Sequence, residues 1–177
     1  MTRYKNKNKI NSVQETIVQF ITDTPGIRYR ELLRGTGLSN GVLSYHLNIL
    51  NISGRIQIHR VNNRVTRYFS HDVSRVEYTI IGLIRQPTAR NIILYMLEYE
   101  YCEFNDIMNH IKKVPSTVSW HLSRLRDAKI IDLYIQNEHF CYGIKINKLV
   151  LKKLLNKYKS SFTENIVDNY ENMIDVF

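Results

Sequence analysis

The sequence predicts an α+β protein, mainly helical with small β-hairpin wings, in which one domain occurs twice and a C-terminal helix follows. Two observations predict this class. The chain of 177 residues repeats itself at a shift of 75 positions. Within each copy, the apolar spacing changes from a helical to a strand period. A chain of this length has room for one or two small domains.

The repeat is clearest in one octet, LSYHLNIL at 43–50 and VSWHLSRL at 118–125, which aligns His46 with His121. The same shift, without a gap, aligns four further apolar pairs: Ile17 with Ile92, Phe20 with Tyr95, Leu32 with Ile107, and Ile56 with Ile131. The predicted organisation is a basic flexible tail over 1–9, a first domain over 10–75, a linking helix over 76–84, a second domain over 85–150, and C-terminal helices over 151–177.

The first copy begins with a helix whose start is indicated by a capping-box pattern at Ser12 and Glu15. An apolar stripe at helical spacing follows, formed by Val13, Ile17, Phe20 and Ile21. The turn DTPG at 23–26 ends this helix, and a second short helix is expected over 29–34.

A third helix is expected after the glycine-rich turn at 35–37, with Ser39 as its cap. Its buried stripe consists of Leu43, Leu47 and Leu50. Two β-rich runs, 55–60 and 65–69, then flank VNNR at 61–64, which predicts a hairpin.

The second copy repeats this order. Thr88 is the expected cap of its first helix, and the second and third helices are expected over 105–111 and 115–125. Strands at 130–135 and 140–144 flank a hairpin tip at QNEH.

Each copy also carries a trailing helix, since Val76, Ile80 and Leu83 align with Leu151, Leu155 and Tyr158. The last helix is indicated by the capping-box pattern SFTE at 161–164. An apolar stripe follows, formed by Phe162, Ile166, Tyr170, Met173 or Ile174, and Phe177. It either folds back on its own chain or pairs with a second one, which would make residues 161–177 a homodimer contact.

Helix, helix, turn, helix and hairpin is the winged helix-turn-helix plan. The third helix of each copy carries S-x-H-L-x-x-L, at Ser44–Leu50 and Ser119–Leu125. With these features the chain resembles the ArsR- and MarR-like winged-helix transcription regulators, in the tandem arrangement of archaeal members. The resemblance covers nearly the whole chain except its two ends. It implies a regulator of transcription that binds double-stranded DNA sequence-specifically.

The third helices are the candidate DNA-reading elements, because the second helix of a helix-turn-helix enters the major groove. Opposite the apolar stripe, the first copy offers Asn40, Gly41, Ser44, Tyr45 and Asn48; the second offers Ser116, Thr117, Ser119, Trp120, Ser123 and the nearby Arg124. The alternative is a solvated polar face, with the two aromatic side chains covering their own hairpin or second helix.

The charge is uneven, and it points to the first copy. The net charge is +9, and residues 1–75 carry 12 Lys and Arg against 4 Asp and Glu. The candidate DNA contacts of the first hairpin are Arg60, Asn62, Asn63, Arg64 and Arg67, and Arg28, Arg30 and Arg34 could clamp phosphates. A solvated charge run is the alternative. The second hairpin has Glu138 at its tip and no Arg, so the second copy either binds DNA weakly or makes protein contacts.

Metal, cofactor and small-molecule sites are not expected. His46 and His121 occupy a structural position in the motif, and the cysteine pair of ArsR-type metal sensors is missing at 36–38 and 113–115. Cys102 and Cys141 fall on strands that are neighbours in winged-helix sheets. They are expected to be small buried residues, with a redox switch as the alternative.

Neither an enzyme nor a membrane protein is expected. The sequence contains no phosphate-binding loop, no zinc-protease motif and no nucleophile elbow. It also lacks an apolar run of bilayer length and a visible secretory signal, so a cytoplasmic, nucleoid-associated location is expected. Two other functions remain open: a winged-helix protein–protein module of the transcription machinery, and an architectural or replication-initiation DNA-binding protein.

Overall fold

The structure, a computed structural model, describes residues 2–61 and 65–159, and the side chains of residues 12–60 and 65–159. This part divides into two units, one up to Tyr78 and one over Thr79–Lys159. None of the helices in these ranges is long and apolar enough to cross a membrane. The predicted last helix at 161–177 and the first hairpin tip with Asn62, Asn63 and Arg64 lie outside the described residues.

The first unit contains three helices and a small antiparallel sheet, and its elements are α1 (Thr2–Asp23), β1 (Ile27–Arg28), α2 (Tyr29–Thr36), α3 (Asn40–Ile52), β2 (Ile56–Val61) and β3 (Val65–Ser70). The strand order is β1-β3-β2. Helix α4 (Arg75–Ile84) follows and runs across the division between the units.

The core of the first unit forms where the three helices meet the sheet. The stripes predicted for the helices supply it: Ile17, Ile21, Leu32, Leu43, Leu47 and Leu50 are buried together with Ile27, Ile56 and Tyr68 of the strands. Burial of this apolar area is the main stabilising contribution to the fold. The predicted class, helices with small antiparallel sheets in tandem, is confirmed.

Two local predictions differ from the structure. Helix α1 begins at Thr2 rather than at the cap predicted at Ser12, and therefore includes residues that the sequence assigned to a tail. Ser39 does precede α3, but its side chain makes no capping hydrogen bond. The turn between α2 and α3 depends instead on Gly37, whose φ of 62° is in the left-handed region that favours glycine.

The second unit repeats the order with α5 (Pro87–Glu98), β4 (Tyr101–Glu103), α6 (Phe104–Ile111), α7 (Pro115–Asp127), β5 (Ile131–Gln136), β6 (His139–Ile144) and α8 (Lys148–Lys157). Its sheet has the corresponding order β4-β6-β5. The cap predicted at Thr88 is wrong, because α5 already begins at Pro87 and Gln86 is its N-cap. Proline suits this first helical position, where no intrahelical N–H donor is needed.

The hairpin of β5 and β6, the second wing, turns in two residues, Asn137 and Glu138, both with positive φ. Such a turn follows the twist of the strands. In the first wing, β2 and β3, three residues separate the strands. The second wing is one residue shorter, and Ile135 and Phe140 consequently occupy the places of Arg60 and Thr66.

The two cysteines are free and buried, as expected. Cys141 lies opposite Glu103 and Cys102 lies opposite Tyr142. Because side chains alternate along a strand, this register directs the two thiols to opposite faces of the sheet. Burial raises the pKa of the Cys102 thiol to about 11, which keeps it protonated at neutral pH. This placement disfavours the disulfide switch that the sequence left open.

Each third helix also buries a histidine beside its leucines, His46 in α3 and His121 in α7. Neither Nδ1 atom has a hydrogen-bond partner among the described residues. Burial, and then the nearby Arg124, lowers the pKa of His121 from its ordinary value. A charged imidazole is therefore disfavoured at this position of the core.

We expect the free energy of unfolding to decrease as the pH is lowered, because the folded second unit holds His121 in its neutral form. Protons bind the unfolded chain first, so the free energy of unfolding decreases as the pH falls below the ordinary histidine pKa of about 6.5 and levels off below the folded-state pKa. Thermal unfolding followed by circular dichroism at about pH 7.5 and about pH 5 measures the loss. The variant His121→Gln should lose less than the wild type, and an equal loss would contradict this assignment.

Candidate nucleic-acid interface

The outer face of α3 is polar and open. Leu43, Leu47 and Leu50 turn into the core, and as a consequence all five predicted contact residues are exposed: Asn40, Gly41, Ser44, Tyr45 and Asn48. The side chains on this face include an amide and a hydroxyl, which can donate to and accept from base edges. The sequence prediction and the structure agree on which residues share this face.

The start of α3 is anchored by a side chain of α2. The Tyr29 hydroxyl donates to Asn40, at 2.8 Å to the backbone oxygen and 2.5 Å to Oδ1. This contact fixes the angle between the two helices at the end of α3 where a recognition helix meets base edges. Asn40 therefore has a structural partner in addition to its predicted contact role, which the sequence did not show.

Gly41 lies in the first turn of α3, where the fold does not require a glycine. A Cβ atom built on Gly41 would meet no other atom within 4 Å, and its φ is not in the left-handed region. The open space above its backbone is therefore available to an external group.

Helix α7 presents a corresponding face. Ser116, Ser119, Trp120 and Ser123 are exposed, whereas Thr117 and Arg124 are half-buried. The Arg124 guanidinium carbon lies 4.8 Å from the centre of the Trp120 ring, a cation–π distance. Arg124 is thereby held along the helix surface beside the tryptophan.

The two aromatic side chains at the repeated position are exposed rather than folded onto their own domains. Tyr45 is 60% exposed and Trp120 is 51% exposed. Each ring meets the edge of the following buried histidine, at 5.2 Å from His46 and 4.7 Å from His121. Both units thus hold a large aromatic group in a defined orientation at the centre of the polar face.

On the first wing, Arg60 is exposed, as predicted. The prediction for Arg67 is wrong: this residue is only 4% exposed, and its Nη1 donates to the Gly26 carbonyl oxygen at 2.7 Å. Arg67 lies opposite Arg28 of β1 and on the same sheet face as Phe69, and its guanidinium reaches the carbonyl of Gly26 just before β1. Arg67 is a structural arginine. The alternation of β3 places it on the face away from the core residue Tyr68, so no local pattern indicates its burial.

The side chain of His59, the neighbour of Arg60 on β2, lies beside Tyr78. Its ring lies 5.5 Å from that of Tyr78 and faces Arg67 across the strands. Three further arginines of the first unit, Arg28, Arg30 and Arg34, are exposed on or next to α2. Arg60 and this set are therefore exposed basic side chains of the first unit.

The second wing differs in chemistry. Ile135 and Phe140 face each other across β5 and β6 and are 68% and 70% exposed. His139 Nδ1 lies 3.8 Å from a Glu103 oxygen. The described residues contain no group of three or more His, Cys, Asp and Glu side chains that could hold a metal ion.

Two family models match the chain. Residues 86–132 match the model of the bacterial regulatory proteins of the arsR family. Residues 11–81 match the model of an N-terminal HTH domain.

Relatives with a similar sequence or structure are distant. An uncharacterised HTH-type transcriptional regulator of Methanocaldococcus jannaschii is 24% identical over 143 residues, which cover 81% of this chain and 35% of that protein. The chain thus spans about a third of the length of this curated relative. A crystal structure of a conserved hypothetical protein from Chlorobium tepidum aligns with 85% of this chain and 99% of its own, at 12% identity and a TM-score of 0.29.

The family matches agree with the two repeated folding units and with the motif that both third helices share. The chain is therefore a protein with two helix-turn-helix units in tandem; the first is similar to the N-terminal HTH domain model and the second to the arsR-family model.

Proposed function

We propose that this protein is a sequence-specific regulator of transcription that binds double-stranded DNA through α3, α7 and the first wing. The observation that carries the proposal is the repeated outer face of the third helices, with Tyr45 and Trp120 at equivalent exposed positions. A helix of this kind fits the major groove, where polar side chains distinguish bases and apolar groups contact the thymine methyl.

The arginines of the first unit support binding of the phosphate backbone. Arg60 extends from the first wing, and Arg28, Arg30 and Arg34 are exposed on or beside α2. Phosphate contacts of this type set the position of a protein on the duplex and supply much of its affinity. In this proposal, the wing arginine follows the minor groove or its phosphates.

The assembly and location follow from the same proposal. Two reading helices on one chain require an extended site, and a homodimer formed through residues 161–177 would require a palindromic one with half-sites a whole number of helical turns apart. A regulator of this kind works in the cytoplasm, associated with the nucleoid. The printed name of the Methanocaldococcus jannaschii relative, a transcriptional regulator, is consistent with this proposal.

A protein-contact role is a second candidate for the second wing alone. The turn of the second wing carries Glu138, whereas the first wing is basic. The apolar pair Ile135 and Phe140 of the second wing is exposed. Weak, salt-insensitive DNA binding together with a stable protein partner in a pull-down would favour this role. Footprinting on genomic DNA separates the regulator from an architectural protein: discrete protected sites support the regulator, and even coating of the DNA would indicate the architectural protein.

For DNA binding, the first prediction concerns the reading of the base sequence by α3. Once a site has been selected from random duplexes, Asn48→Ala should reduce the preference for that site by about 1–3 kcal/mol at one base pair. The control is Asn51→Ala, an exposed asparagine in the last turn of the same helix. Fluorescence anisotropy with matched and mismatched duplexes measures both. Equal effects of the two substitutions would contradict the assignment of Asn48.

The second prediction separates a phosphate contact from a structural arginine. Arg60→Ala should lower the magnitude of the log–log salt slope of DNA binding by about 0.9 without changing the melting temperature. Arg67→Ala should leave that slope unchanged and reduce the free energy of unfolding by about 1–3 kcal/mol, because the Gly26 carbonyl loses its donor. The reverse pattern would place Arg67, and not Arg60, on the DNA.

The third prediction uses the open space above Gly41. Gly41→Ala should stabilise the protein by about 0.5–1 kcal/mol, because alanine favours the helix and meets no neighbour. If the DNA approaches this backbone closely, the methyl group should weaken binding roughly tenfold, or about 1.4 kcal/mol. Anisotropy and thermal unfolding test the two parts. Unchanged affinity would show that no external group comes close to Gly41.

A further inference from the structure

The outer face of α7 carries a planar cation that lies over an aromatic ring. The Arg124 guanidinium carbon is 4.8 Å from the centre of the ring of Trp120, the residue one helical turn earlier. Long helical side chains lean toward the N-terminal end of their helix, and this contact therefore holds the guanidinium over the preceding turn. The charge of Arg124 is thereby brought closer to the end of α7 at which a recognition helix meets base edges.

The Trp120 ring is itself held in place by the fold. Its centre lies 4.7 Å from that of the His121 ring at an interplanar angle of 84°, which is an edge-on contact with a buried side chain. Trp120 nevertheless remains 51% exposed. A ring that is supported on its inner side and open to solvent on its outer side can contact an external group with little further loss of side-chain freedom.

These two groups have different preferences among the bases. An arginine fork donates two parallel hydrogen bonds to O6 and N7 of guanine, which is the commonest base-specific contact in the major groove. An apolar side chain contacts the 5-methyl group of thymine. Because the guanidinium lies over the ring, the two groups are presented side by side, which suits neighbouring base pairs roughly 3.4 Å apart along a strand.

The first unit does not repeat this pair. It keeps an aromatic residue at the position of Trp120, but the shift of 75 residues aligns Ile49 with Arg124. Ile49 is half-buried, and its side chain has no hydrogen-bond donor. At the preceding position, α3 carries the exposed amide of Asn48 where α7 carries Ser123. The two third helices therefore share their geometry and differ in the donors that they offer.

We propose that α7 recognises a guanine next to a thymine, with Arg124 on the guanine and Trp120 on the thymine methyl group. Helix α3, through Asn48, recognises a different element that contains adenine. This inference rests on the proposed function, because it assigns bases to helices that the proposed function places in the major groove. It adds that the binding site of one chain is a composite of two unlike elements rather than a repeat of one.

A phosphate contact is the alternative role for Arg124. Such a contact requires only the positive charge, whereas guanine recognition requires the planar fork. The variant Arg124→Lys keeps the charge and loses the fork, so it separates the two roles. The matched control is Arg126→Lys, because Arg126 is an exposed arginine two residues further along the same helix.

Selection of sites from random duplexes, followed by sequencing, tests the guanine contact with the full chain. The wild-type site should contain a guanine next to a thymine. Arg124→Lys should reduce the preference for that guanine roughly tenfold and leave the salt slope unchanged. Arg126→Lys should select the wild-type site. An unchanged guanine preference in Arg124→Lys, or equal weakening for all sequences, would overturn the assignment.

Base analogues in the selected site test each contact at one atom or group. 7-Deazaguanine lacks the N7 acceptor, so it should weaken wild-type binding about fivefold and have no effect on Arg124→Lys. Uracil in place of thymine removes only the methyl group, so it should weaken wild-type binding about fourfold and have no effect on Trp120→Ala. Fluorescence anisotropy measures the affinities, and thermal unfolding confirms that both variants fold.

The wild type alone already decides the tryptophan contact, since equal affinity for the uracil and thymine duplexes would overturn it. Equal effects of an analogue on the wild type and on the matching variant would contradict the contact in question. Asn48→Ala and Arg124→Lys should alter separate positions of the selected site, and loss at the same position in both would contradict the composite site.

The failure of this inference differs from the failure of the proposed function. A discrete selected site that lacks the guanine next to a thymine would overturn the inference and leave sequence-specific binding intact. A wild-type chain that selects no sequence would overturn both.

Discussion

The fold of each unit depends on the burial of one apolar stripe of its third helix. In α3, Leu43, Leu47 and Leu50 are fully or nearly fully buried, and α7 repeats the arrangement with Val118, Leu122 and Leu125. A helix that buries one side must expose the other. The buried stripe therefore determines which polar and aromatic side chains face outward, and the neighbouring helices and sheet hold that face in place. The candidate interface is a direct consequence of how the core is filled.

The same constraint explains why so much of the fold could be predicted. A stripe that recurs after 75 residues identifies both the helices and their repetition, because apolar spacing follows the helical period. The face opposite the stripe follows by geometry, so Ser44 and Tyr45 could be assigned to it. Local capping patterns were less informative. Ser12 has the residues of a cap, yet the helix continues back to Thr2, since a capping pattern does not exclude helix upstream.

The wing residues could be predicted only in part, because a strand places alternate residues on different faces. Arg67 shares the basic character of Arg60, but it points toward β1 and satisfies the Gly26 carbonyl. Its burial depends on the pairing register and on packing on this sheet face, where Tyr78 of the following helix stacks on Phe69. Long-range packing of this kind is not encoded in a short window of sequence. The exposed pair Ile135 and Phe140 was missed for the same reason, since strand runs of this composition are usually half-buried.

The two-residue turn at Asn137 and Glu138 has a consequence for how the two halves can diverge. The first wing has one residue more between its strands, yet its strand pairs correspond one to one with those of the second wing. The difference in length is therefore taken up in the loop, and the strand side chains keep their faces. The loop can change length independently of the strands, so the two copies could diverge at the wing tip without disturbing the core that each hairpin covers.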